Sequence, residues 1–85
     1  MNDFDPYYEW LGIPPDERPI SHYRLLSLRE FEANRSVINN AADARMAFIR
    51  GFQLGPRADY AVKLLNEIAS ASICLLNPAK KQAYD

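Results

Sequence analysis

Apolar residues recur at helical intervals through two long stretches of the chain and two short ones, and nowhere do they alternate as in a strand. The strongest pattern is residues 61–76, AVKLLNEIASASICLL. At 100° per residue, Ala61, Leu64, Leu65, Ile68, Ala69, Ala71, Ser72, Leu75 and Leu76 share one side, and Val62 and Ile73 extend it. Lys63, Asn66, Glu67, Ser70 and Cys74 fall opposite. The apolar arc covers roughly 220°, wider than the ~100° stripe of a surface helix, so the pattern predicts neighbours from two directions. Asn77 followed by Pro78 predicts an N-cap and a first helical position, opening a short last helix that ends Ala83-Tyr84-Asp85.

Upstream, Asn34 can cap a long helix over residues 35–54, with Gly55 as a left-handed stop and Pro56 preventing continuation. Val37, Ile38, Ala41, Ala42, Phe48, Ile49 and Phe52 form its apolar arc, with Met46 at the edge. Arg45 falls inside that arc. Either its stem packs while the guanidinium snorkels outward, or it pairs with an acid of the N-terminal segment, Asp3, Asp5 or Glu9. Near the start, Asp5, Pro6 and Gly12 read as cap, first position and stop of a short helix carrying Tyr7, Tyr8, Trp10 and Leu11. Pro14, Pro15 and Pro19 make the next stretch extended or turn-like. Ser21 can then cap a second short helix, HYRLLSL, over residues 22–28. There is no Asn-Gly or Asp-Gly pair to turn a hairpin.

The closing stretch carries a family pattern. Leu65, Ile68, Ala71, Leu75, Asn77-Pro78, Lys80-Lys81 and Tyr84-Asp85 stand where the end of a J-domain has I-x-x-A-x-x-x-L and then D/N-P-x-K-(R/K)-x-x-Y-D. This part of the chain resembles a J-domain. Tyr8-Glu9-Trp10-Leu11-Gly12-Ile13 and Tyr23-Arg24-Leu25-Leu26-Ser27-Leu28 both resemble the family's opening Y-x-x-L-G-V. Leu28 lies 9 residues before Val37, near the family's usual separation, whereas Ile13 lies 24 before it. The second copy is thus the family's first helix, and residues 1–20 are an addition. The resemblance implies an all-α, J-domain-like domain over residues 1–85: an extension (1–20) and a J-like core (21–85). Its long helices would pair antiparallel, the first J-like helix would cross one side, and the extension would cover the rest of the 61–76 helix. Tyr84 would pack its ring back onto that helix.

The family acts through His-Pro-Asp, which stimulates ATP hydrolysis by an Hsp70 partner with help from a basic helix surface. In the family register those positions fall near Arg50-Gly51-Phe52, and the only histidine, His22, precedes Tyr23. Asn39, Asn40 and Asp43 stand where lysines and arginines are usual. What remains is a J-like scaffold without ordinary J activity, its partner a protein or an adjacent domain rather than Hsp70. The alternative is an atypical Hsp70 co-chaperone. The pattern DPYYEWLGIPP, HYRLL and LLNEIASASICLLNP is also similar to an N-terminal module of planctomycete multidomain proteins, which implies a bacterial adaptor within a longer chain.

Composition narrows the picture further. Eighty-five residues, 48% hydrophobic and 25% charged, describe one small globular domain. A net charge of −1 argues against nucleic acid or an anionic membrane as partner. One cysteine makes no internal disulfide and fits a reducing, cytoplasmic setting. The start, MNDFDPYYEW, is unlike a secretory signal, and no apolar run approaches the ~20 residues that span a bilayer.

Candidate chemistry is sparse. His22 and Cys74 supply no metal set, so His22 reads as a packing residue and Cys74 as a half-buried thiol beneath the N-terminal segment. No serine has an accompanying base, and three glycines are too few for a phosphate-cradling loop. Neither a cofactor nor an enzymatic activity is expected. Arg45, Arg50, Arg57 and Lys63 could line one edge near the long-helix turn, as a solvated face or as a contact surface. Phe4, Tyr7, Tyr8 and Trp10 are the residue types that anchor interfaces, or else they cap the 61–76 helix. Tyr7, Tyr8, Trp10, Arg45, Arg50 and Arg57 are therefore the candidate interaction residues.

Overall fold

The computed structural model describes residues 4–85, which form five α-helices and no strand. The first, α1 (Pro6–Leu11), starts where Asp5 accepts hydrogen bonds from the Tyr7 and Tyr8 amides and stops where Gly12 turns left-handed at φ 71°. Next comes α2 (His22–Leu25), with the Ser21 hydroxyl accepting from the Arg24 amide. Asn34 caps α3 (Arg35–Arg50) by accepting from Ser36 and Val37. The longest helix is α4 (Ala58–Leu76), and α5 (Pro78–Tyr84) follows through Asn77, whose side chain accepts from the Lys80 amide at 3.1 Å. Each of these polar caps satisfies a donor that the helix start leaves without an intrahelical partner.

The long helices α3 and α4 pack side by side in opposite directions, since Arg35 at the start of α3 donates to the Leu76 carbonyl at the end of α4. Helices α2 and α5 both pack on α4. One core joins them all: Ile38, Ala42 and Ile49 of α3, Ala61, Leu64, Ile68, Ala71 and Leu75 of α4, and Tyr23, Leu25 and Leu26 around α2. Leu11 and Ile13 belong to the same core, so residues 1–20 contribute to the interior rather than only covering it. The molecule measures 41 × 27 × 16 Å. Two helical layers 8–10 Å apart fill the short dimension and a third does not fit, so one face of the α3–α4 pair stays open.

Several expectations are corrected. The second short helix ends at Leu25, three residues early, because Ser27 turns left-handed at φ 63°. The Ser27 amide then donates to Arg24 and the Leu28 amide to Tyr23, the two bonds of a Schellman stop. The long helix ends at Arg50, not near residue 54. Beyond it the amides of Gly51, Phe52 and Gln53 bond three residues back, and Gly55 has no positive φ. Val37 and Phe48, expected inside, are half-exposed. The N-terminal segment does not cover the spare face of α4. It lies along the opposite flank, and Val62 and Ile73 keep 49% and 59% of their surface. Cys74 sits under α5, its Sγ 3.7 Å from the Lys80 carbonyl, rather than beneath the N-terminal segment.

Candidate interaction surfaces

The aromatic residues of the N-terminal segment gather at the α3–α4 turn. Trp10 stacks on Phe52 with ring centres 4.1 Å apart, and Phe52 meets Phe48 edge-on at 5.3 Å. On its other side Trp10 meets Phe4 at 5.2 Å, and Phe4 meets Tyr60 of α4 at 5.0 Å. The Arg57 guanidinium lies 3.7 Å from the centre of the Phe4 ring, a cation–π contact. Five rings from four parts of the chain thus hold the segment against the turn. Trp10 is half-buried in this row and Tyr8 is exposed outside it.

Tyr7 anchors the other end of α1. Its hydroxyl donates to Glu67 Oε1 of α4 at 2.7 Å, and the Arg18 guanidinium lies 5.0 Å from its ring centre. Burial and the neighbouring Glu67 carboxylate push the Tyr7 phenol up to about 12. Arg18 also donates to Asp5 at 2.9 Å and to the Ile13 carbonyl, which ties the segment's two halves together. Burial works against the ionised Asp5, yet the Arg18 contact and the Tyr7 and Tyr8 amides hold its carboxyl below the usual range.

The four basic residues expected along one edge have separate roles. Arg45 Nε donates to the Leu25 carbonyl at 3.1 Å. The expected pairing with Asp5 or Glu9 is not formed, and Asp3, the third acid named, lies outside the described residues. Burial, then the charge of Arg24, lowers the Arg45 pKa. Arg57 is committed to Phe4, while Arg50 and Lys63 are exposed.

A polar clasp that pattern reading did not identify joins α2 to α5. The Tyr23 ring is 1% exposed, and its hydroxyl donates to Asp85 Oδ1 at 2.5 Å. Lys81 Nζ pairs with Asp85 Oδ2 at 2.9 Å. Tyr84 stacks on His22 at 4.2 Å and accepts a hydrogen bond from the His22 amide. Its ring therefore docks on α2 and not on α4, correcting the expectation. Burial and the Asp85 carboxylate raise the Tyr23 phenol, while Tyr23 and Lys81 hold the Asp85 carboxyl low. The terminal Tyr84-Asp85 pair was the available signal, but its partners sit more than sixty residues away in sequence.

The remaining surface is the open flank of α4. Val62, Leu65, Ala69, Ile73 and Leu76 occupy ~80° of the helix, on the flank away from Tyr60 and Glu67. Leu65, Ala69 and Leu76 of the same strip are half-buried. Arg35, Ser36 and Asn39 border the Leu76 end in a shallow hollow of about 340 Å³.

Among the described residues no group of three or more His, Cys, Asp or Glu could hold a metal ion, and no helix is long and apolar enough to cross a membrane. Compared with known proteins, the chain matches no family model, no curated protein and no solved structure.

Proposed function

We propose that this chain is a non-catalytic protein–protein interaction module, an adaptor on a J-domain-like helical scaffold that works within a larger cytoplasmic protein. The observation that carries this is the apolar flank of α4, where Val62 and Ile73 lie open although the chain has an aromatic N-terminal segment that could have covered them. A contiguous apolar strip of this kind, which continues through half-buried Leu65, Ala69 and Leu76, marks a contact surface. The J-like part rests on the pattern from Leu65 to Asp85 and on antiparallel long helices followed by a short closing helix.

Two measurements test the proposal. Replacing Val62 and Ile73 together by lysine should leave the melting temperature within about 2 °C, since half-exposed side chains contribute little to the core, and should abolish binding of a hydrophobic dye. A fall of more than about 10 °C would make the strip part of the fold and sink the proposal. The chain should also fail to accelerate ATP hydrolysis by an Hsp70. Arg50-Gly51-Phe52 offers no His-Pro-Asp chemistry, and Arg45 is tied to α2 through Nε. A several-fold acceleration lost on Arg50→Glu would favour the co-chaperone alternative.

A further inference from the structure

We propose that the hollow between the end of α2 and the middle of α3 receives an acidic side chain of a partner protein, with Arg45 as its anchor. The acid would sit on a short extended segment between apolar neighbours. This surface shares no residue with the open flank of α4, and the two stand or fall separately. Arg45 is held in place but not satisfied. Its Nε donates to the Leu25 carbonyl at 3.1 Å, which fixes the plane of the guanidinium. The two terminal nitrogens carry four of the five N–H groups. They donate to nothing among the described residues, and neither is sealed from solvent.

Charge decides what such a fork accepts. Half-burial has removed part of the water around the guanidinium, and the charge of Arg24, itself paired with Glu17 at 2.7 Å, works against it. Among the described residues no carboxylate forms an ion pair with Arg45. A partly desolvated charge in that position favours a counter-charge brought from outside. A planar fork held by Nε meets a carboxylate through parallel hydrogen bonds, which a lysine ammonium does not reproduce.

The walls define what surrounds that carboxylate. Leu26, Ser27, Ala41, Ala44 and Phe48 complete a hollow of about 330 Å³ around Arg45. Leu26 is fully buried, and Ser27 adds a hydroxyl donor to the lining. Ala41 and Ala44 keep the hollow open, because each ends at Cβ where the turns on either side carry half-exposed Val37 and Phe48. From Val37 to Phe48 the stripe runs ~16 Å along α3, the length of about five extended residues. A small carboxylate would fill only part of it.

The full chain is titrated by NMR with probes of increasing likeness to such a segment. 3-Phenylpropanoate should shift the Arg45 Nε–H, Ala44 and Phe48 signals with Kd on the order of 1–10 mM, and its amide should bind at least tenfold more weakly. A capped peptide of about five residues, one glutamate between leucines, should bind at least tenfold more tightly than phenylpropanoate. Its glutamine counterpart should lose that gain. Ala44→Leu fills the hollow from an exposed helix position without altering Arg45, so it should remove binding at unchanged Tm. Arg45→Lys should weaken binding several-fold, and if it unfolds the chain, Ala44→Leu still decides. The proposal is overturned if the amide or the glutamine peptide binds as well as its acid, or if Ala44→Leu binds like the unchanged chain. Inorganic phosphate binding as well as phenylpropanoate would reduce Arg45 to a bare surface cation. Phenylpropanoate matching the peptide would make the ligand a small carboxylate, and either result ends the claim of a protein partner.

Discussion

At Ser27 the backbone adopts φ 63°, in the left-handed region where a Cβ costs roughly 1 kcal/mol and glycine is free of that penalty. The family pattern that Tyr23-Arg24-Leu25-Leu26-Ser27-Leu28 resembles has glycine there, and the earlier copy of the pattern has Gly12 at φ 71°. Ser27→Gly should therefore stabilise the domain by ~0.5–1 kcal/mol, visible as a rise of a few degrees in Tm. Ser27→Ala, which keeps the Cβ, should give no gain, and equal gains from both would show that the left-handed turn is not strained. That turn also explains Arg45. Because α2 stops at Leu25, the Leu25 carbonyl has lost its intrahelical donor, and Arg45 Nε takes the vacant place from α3. Wheel geometry could show that Arg45 faces inward. It could not show a carbonyl whose availability depends on where another helix ends.

Four of the five helix starts were legible because a cap is a local contract between neighbours in sequence, whereas α4 begins at Ala58, ahead of the 61–76 pattern, with no capping side chain. Asp5, Ser21, Asn34 and Asn77 all cap as their positions require. Ends and docking partners were less so, and α5 illustrates why. Its start follows from Asn77-Pro78, but it buries no residue fully and is too short to persist alone. It is held by Tyr84 on His22 and by Asp85 on Tyr23, contacts set by the path of the whole chain. Tyr84 is 41% exposed, so Tyr84→Ala should cost ~2 kcal/mol, below the ~3–5 of a fully buried ring. Asn77→Ala should cost ~1 kcal/mol through the lost cap. Thermal melts rank the two, and a silent Tyr84→Ala would mean that α5 is not docked through this ring. Burial lowers the His22 pKa, so the unfolded chain binds the proton more tightly. Stability is then complete above the unfolded value near 6.5 and declines as pH falls through it. His22→Phe should keep the stack and remove that slope between about pH 7 and 5. A second decline below about pH 4 should persist in this variant, because the carboxyls of Asp5 and Asp85, both held low, become protonated there.

At the scale of the molecule, the roughly 220° arc correctly implied that α4 needs neighbours in more than one direction, but phase alone could not say which flank the N-terminal segment would take. The segment follows its polar anchors, Tyr7 on Glu67 and Arg18 on Asp5, together with the ring row from Phe4 to Phe52. It leaves Val62 and Ile73 outside. Its contribution to stability therefore comes from what it inserts. Ile13 is fully buried and Leu11 nearly so, both inside the core shared by α2, α3 and α4. Burying each side chain is worth ~1.5–3 kcal/mol, and the Trp10 stack on Phe52 adds ~0.5–1.5. A domain of this size has only ~5–15 kcal/mol in total. Deleting residues 1–20 should accordingly leave a chain without a cooperative thermal transition, one that binds a hydrophobic dye through the exposed underside of α2. Ile13→Ala, a smaller change, should keep the fold and cost ~2–5 kcal/mol. The extension would be dispensable if residues 21–85 melted cooperatively at the temperature of the full chain. Tyr7, Tyr8 and Trp10 would then be free to act as a binding arm rather than as part of the structure.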